Sequence, residues 1–251
     1  MDHPTANPGK RPAITACGRT FLRIPLRTHF VQIGDDYSQL AGRYAAPCAQ
    51  QGDVLCISEK VIALCQGRVV YRKDIHPGFW ARLLCRFVHS TPAGPGAGTP
   101  HKMQLLIMQC GLWRVLLAAL CSAFTRPLGL HGVFYRVCGH GAGGIDGLID
   151  YDISYKEYYN YAILSPAEPD GVCAELEAQL GLPVAIVDAC DLSVEVLGTS
   201  PSMMYSRRDL GEILRDNPAG QGDQQTPLIL VRPLGGGSAE PEEQHKKAGP
   251  F

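Results

Sequence analysis

Several things are missing from this sequence, and each absence narrows it. None of its 10 cysteines forms a C-x-x-C pair or stands with histidine at zinc-finger spacing, which removes the common zinc modules and the thioredoxin-like redox centre. No repeat of fixed period runs through it, so solenoids and propellers are excluded. Charged residues are few, at 19%, and nearly balanced, with a formal net charge of −1. That excludes wholesale disorder and a nucleic-acid partner held by bulk charge. The opening residues, MDHPTANPGKRP, contain no apolar core of a secretory signal. Most cysteines sit in apolar runs, as Cys56, Cys110 and Cys121 do. They read as small buried hydrophobes in a reducing, cytoplasmic setting.

What is present is unevenly spread. Residues 1–140 hold 16 Lys/Arg against 6 Asp/Glu, whereas residues 141–200 hold 1 Lys against 11 Asp/Glu. Such a split suits a chain in which one half approaches an anion and the other holds cations, and equally one in which two solvated faces attract each other. The longest apolar run, MQLLIMQCGLWRVLLAALCSAF at 103–124, has the length of a bilayer span. Arg114 lies at its centre and is costly in lipid. With Gln104 and Gln109 it spreads polarity around the helix. The run is therefore read as one long helix buried inside a domain.

Residues 1–20 are read as a loose lead, 21–234 as a single domain, and 235–251 as a disordered polar tail. Within the domain, TPAGPGAGTP at 91–100 reads as a hinge between two lobes. Short apolar runs at 54–58 (VLCIS), 184–190 (VAIVDAC) and 227–234 (PLILVRPL) read as strands, and GVFYRVCG at 132–139 as another. Tyr37 to Ala49, residues 59–66, 79–90 and 172–180 read as helices, the first begun by Asp35-Asp36 and two closed by Gly67 and Gly181. Strands and helices intermix without a regular βαβ rhythm, which predicts an α+β (mixed α/β) fold with a mixed sheet.

Chemistry is concentrated in GHGAGGIDGLIDYD, 139–152. Gly139, Gly141 and Gly144 satisfy G-x-G-x-x-G, but the fingerprint needs a helix to follow, and carboxylates beside a pyrophosphate need a cation between. Asp146, Asp150 and Asp152 are hard oxygen ligands suited to Mg²⁺ or Mn²⁺. The plainer alternative is an acidic surface loop. Asp188 ends an apolar strand, where open sheets gather ligands. It is either a turn residue or a second metal ligand paired with Asp146. Lys60 opens a helix after a strand and can meet phosphates, or can simply be solvated. Arg114 needs a carboxylate or phosphate partner if buried. His140 can serve as acid, base or ligand. The tyrosines at 151, 155, 158, 159 and 161 suit a planar ligand or an interface.

Three stretches together resemble the coenzyme F420-0:L-glutamate ligase (F420:γ-glutamyl ligase) family. They are GDVLCISEKVIALCQGRVV at 52–70, GGIDGLIDYD at 143–152 and LGLPVAIVDACDLSVEVLG at 180–198. The resemblance covers roughly 22–200 and implies a homodimer of mixed α+β fold that uses GTP and a divalent metal. By position it implies Asp146 and Asp188, with Asp150 beside them, as metal ligands. It also implies Lys60 as a nucleotide-phosphate contact and Ile24, Pro25 and Leu26 as a nucleotide-contacting segment. Arg114 joins that nucleotide set as a further cation. The pattern departs at three places: the family's second Lys is Leu64 here, its Asn is Ile149 and its Thr is Ala189.

The resemblance implies a ligase that joins a small-molecule carboxylate to an amino acid through an acyl phosphate. The departures leave room for a binding module that kept the fold and lost the nucleotide site. The glycines alone leave a nicotinamide-dependent oxidoreductase.

Overall fold

The computed structural model describes residues 6–88, 96–130, 132–139, 145–148, 159–220 and 222–234. The described residues form nine strands and eight α-helices. The main sheet has six strands in the order β1-β2-β9-β3-β7-β8. These are β1 (Ala13–Ala16), β2 (Arg19–Leu26), β3 (Val54–Ser58), β7 (Val184–Ala189), β8 (Val194–Thr199) and β9 (Leu228–Pro233). β3 and β7 run parallel, while every other neighbouring pair is antiparallel. A second sheet joins β4 (Val69–Tyr71), β6 (Tyr161–Ile163) and β5 (Asp146–Gly147) in the order β4-β6-β5. The fold is α+β.

The central strands are continuous apolar runs because both of their faces are covered. Along β3, Leu55 and Ile57 point to one core and Val54 and Cys56 to the other, the two-residue period of a strand. Three helices close the first face: α1 (Tyr37–Tyr44), α2 (Glu59–Cys65) and α7 (Pro169–Leu180). Asp36 caps α1 by accepting from the Ser38 and Gln39 amides, which satisfies donors the helix start leaves open. α8 (Arg207–Leu214) closes the other face with Leu210, Ile213 and Leu214. Pro25 sits in β2 beyond the last pair with β1, and like Arg23, whose amide donates to the Pro12 carbonyl, it turns its nitrogen away from β9, so its missing N–H costs no ladder bond.

A helical lobe has a core of its own. It contains α3 (Phe79–Leu84), α4 (Pro100–Cys110), α5 (Leu112–Thr125) and α6 (Val133–Cys138). β6 divides the two cores: Ile163 packs with the main one and Ala162 with the lobe.

Four sequence expectations change here. The apolar run at 103–124 is two helices bent by 114° at a break at Gly111. Gly111 has φ +82, a conformation that ends an α-helix and suits glycine. Nor is the run buried throughout: α5 buries only Val115 and Ala118. Residues 132–139 form a helix and not a strand, because Phe134, Val137 and Cys138 share one helical side packed in the lobe. Part of the stretch read as a loose lead is β1, paired with β2 from Ala13 to Ala16. Of the hinge read at 91–100, residues 91–95 lie outside the described residues, whereas Gly96–Gly98 form a 3-10 turn and Pro100 opens α4; the tail at 235–251 lies outside as well.

Candidate functional site

β2, β3 and β7 point the same way, so Leu26, Ser58 and Asp188 mark one end of the main sheet. Ser58 ends β3 and caps α2, which puts Glu59 and Lys60 in that helix's first turn. Val187 pairs with Ser58, so Asp188 stands next to this turn. The carboxyl ends of parallel strands are where open sheets place ligands.

Two more elements converge there. β5 is fixed by its register with β6, Asp146 opposite Ile163. From this position Asp146 Oδ2 lies 2.8 Å from Lys60 Nζ. α4 supplies Lys102, whose amide donates to the Thr99 hydroxyl at 3.3 Å. The Lys102 side chain is buried with the residue 4% exposed.

The cluster's charges are strongly coupled. Burial pushes the Glu59 carboxyl up to about 8; the negative charges of Asp188 and Asp146 add to the rise, and Lys60 opposes it. Asp188 is exposed at the end of β7, yet the desolvation of its carboxylate among these groups raises it, helped by Asp146 and by Glu195 and opposed by Lys60. Glu195 is the residue directly opposite Asp188 in the β7–β8 pair, a like-charge juxtaposition that is unfavourable by itself. Burial alone would raise Asp146 too, but the charge and hydrogen bond of Lys60 and the charge of Lys102 outweigh it, leaving Asp146 below the usual carboxylate range. Burial pulls Lys102 below the ordinary lysine value against the attraction of Asp146.

Lys60, Asp146 and Asp188 are thus brought together. Glu59, Lys102 and Glu195 join them and were missed in the sequence. Glu59 had one available signal, its place beside Lys60 at the end of a strand. Lys102 had another, as the last cation before the apolar run. Arg114 is elsewhere: its Nε donates to the Val137 carbonyl at 2.8 Å, and its guanidinium lies against Gly139. It straps α5 to α6 and is not among the charges that act on Asp146. Ile24 and Leu26 are buried in the main core, and Pro25 is buried between them. Leu64, at the position of the family's second lysine, is also in that core.

Asp150, Asp152, Ile149 and His140 lie outside the described residues, as do Gly141, Gly144 and the tyrosines at 151, 155 and 158. Tyr159 receives the Arg72 guanidinium 4.6 Å above its ring, and Tyr161 stacks edge-on with Tyr71. The dinucleotide context is reversed: α6 precedes Gly139 and β5 follows the glycine segment. The phosphate-binding fingerprint requires strand then helix, so that reading has no structural support.

Among the described residues no group of three or more His, Cys, Asp or Glu is arranged to hold a metal ion. Asp146 and Asp188 nevertheless offer hard oxygens at one end of the sheet, and their mutual repulsion is what a cation would relieve. Mg²⁺ commonly takes only one or two carboxylates, completing its shell with water and substrate phosphates.

A mixed sheet with lysines and carboxylates gathered at the ends of its parallel strands defines a class of α+β protein with a charged site at one end of its sheet. The family model for F420-0:γ-glutamyl ligase matches residues 25–199, and the chain belongs to that family. Membership places it with the glutamate-type ligases. None of the curated proteins compared with the chain matches it.

Proposed function

We propose that the chain joins an amino acid to a small-molecule carboxylate through an acyl phosphate, using a nucleoside triphosphate and Mg²⁺ or Mn²⁺. The observation that carries this reading is the meeting of Lys60 and Lys102 with Asp146 and Asp188 at the carboxyl ends of β3 and β7. Lys60 and Lys102 supply positive charge to phosphate oxygens. Asp146 and Asp188 would hold the cation, which when bound neutralises charge on the transferring phosphoryl group. Glu59 keeps its proton at neutral pH and so limits the negative charge beneath the phosphates. A substrate carboxylate oxygen attacks the γ-phosphorus as its bond to the β–γ bridging oxygen breaks, releasing the diphosphate. The amine nitrogen then attacks the acyl carbon, the carbon–oxygen bond to phosphate breaks, and the nitrogen loses a proton to solvent.

The second reading is a binding module without ligase activity. Leu64 favours it, because an apolar side chain in the core replaces a phosphate-contacting lysine of the family.

Thermal shift with GTP or ATP, with and without Mn²⁺, tests the two readings. Stabilisation by triphosphate only with Mn²⁺, and phosphate release only when carboxylate and amine are both supplied, is the ligase result. Asp146→Asn and Asp188→Asn each remove the Mn²⁺-dependent shift. Each leaves the apo melting temperature within about 3 °C, since the half-exposed Lys60–Asp146 pair contributes little stability. A wild-type chain that ignores every triphosphate, or aspartate variants that keep the shift, overturns the ligase proposal.

A further inference from the structure

The helical lobe carries an apolar face that the proposed chemistry does not use. On α5, Trp113, Leu117, Leu120 and Phe124 are exposed, Trp113 by 83% and Phe124 by 71%. At about 100° per residue these four positions fall within roughly 60° of arc. Val115 and Ala118, which α5 buries against the lobe core, lie on the opposite side. The helix is therefore seated by one face and turns a continuous apolar stripe to water. Single exposed hydrophobic residues are ordinary, but a contiguous stripe of aromatic and leucine side chains marks a docking surface.

Along the sequence, the described charges of this lobe have one sign. From Asp74 to Asp146 the sequence contains six Lys/Arg and no Asp/Glu between them. Of the six, only Lys102 is buried. We infer that this face docks onto an anionic lipid bilayer and lies in its interface. Trp and Phe enter the headgroup boundary while arginines meet lipid phosphates and carboxylates. Among the described residues no single helix is long and apolar enough to cross a membrane, and α4 with α5 passes by length and composition only as a bent pair. α5, with 14 residues, measures about 21 Å against a hydrocarbon core of about 30 Å. The face therefore lies on the bilayer and does not span it. A second copy of the chain suits the face poorly, because pairing two such faces brings together lobes whose described exposed charges, from Arg82 to Arg136, are all positive. This inference is independent of the ligase reading.

Vesicle flotation of the full chain decides it. Vesicles of phosphatidylcholine are compared with vesicles containing about 30% phosphatidylserine, at low and high salt. The expected result is flotation with the anionic vesicles only, weakened by salt. Trp80→Phe leaves Trp113 as the sole tryptophan, and its emission shifts to the blue when anionic vesicles are added. Leu117→Ser with Phe124→Ser, and separately Arg126→Glu with Arg136→Glu, each lower binding about tenfold or more. All four residues are exposed, and each pair is compared with the wild type by melting temperature first, so that lost binding is read only from folded protein. Absence of flotation, equal binding to neutral vesicles, or undiminished binding by both double variants overturns the inference. So does a wild-type dimer that Leu117→Ser with Phe124→Ser converts to monomer in sedimentation while vesicles are ignored, which would make the face a self-interface.

Discussion

Glu59 is a carboxyl group placed where its proton is favoured. It is 5% exposed and faces the negative charges of Asp188 and Asp146. Its folded pKa, about 8, is above the ordinary glutamate value of 4.5, so the folded state holds a proton that the unfolded chain releases between those values. Stability from this group is complete below about pH 4.5 and is lost as pH rises through about 8. Glu59→Gln should therefore raise the melting temperature at pH 8 by on the order of 5 °C and change it little at pH 5. Thermal melts of both proteins at the two pH values check this, and equal shifts at both would refute it. Lys60, Asp146 and Asp188 were legible in the sequence because each adjoins an apolar strand or a glycine-rich turn. Glu59, Lys102 and Glu195 were not, because their roles depend on which charges tertiary packing brings beside them. Glu195 in particular is significant only through its register with Asp188.

At the scale of elements, local pattern succeeded where an element is buried on its own terms. VLCIS and the run from Val184 are strands as read, and Gly181, in the left-handed region at φ +70, closes α7. Pattern failed where neighbours decide. GVFYRVCG alternates like a strand, yet the same residues offer a helical side to the lobe, and the Tyr135 hydroxyl accepts from the Ala97 amide at 3.1 Å. The apolar run at 103–124 gave no sign that Gly111 would break it, since glycine also occurs inside helices. The contact between α7 and β8 is equally invisible in one dimension. A Cβ on Gly198 would lie 2.5 Å from the Pro169 carbonyl carbon and 2.8 Å from the Asp170 nitrogen. Nearby, the Asp170 carboxylate accepts from the Thr199 amide at 2.8 Å and from Arg207 at 3.0 Å. Backbone cannot yield as a side-chain tip does, so Gly198→Ala should destabilise by about 2 kcal/mol or more. Urea titration measures it, and a loss below about 0.5 kcal/mol would show that α7 can move away freely.

For the molecule as a whole, the division of charge along the chain becomes a division of labour. The basic first part supplies Lys60 and Lys102, and the acidic stretch supplies Asp146 and Asp188, so the two meet at the site. Lys10 likewise reaches Asp191 at 2.6 Å. The α+β class was readable from the mixture of patterns. The strand order was not, because nothing local states that β9 inserts between β2 and β3. That insertion makes the last described strand indispensable. Leu228, Leu230 and Val231 are fully buried, and β9 is hydrogen-bonded along both edges. A chain ending at residue 226 should lose cooperative unfolding altogether. Circular dichroism melting tests this, and a sharp transition in the shortened chain would contradict it.

The same arrangement bears on how the protein comes to exist in a cell. A ribosome releases β2 and β3 long before β9, so two apolar strands wait with open edges while most of the polypeptide is still being made. The end of the sheet that carries the site is finished only once β9 has emerged. Newly made chains therefore pass through an interval in which those two edges are open to pairing with other chains.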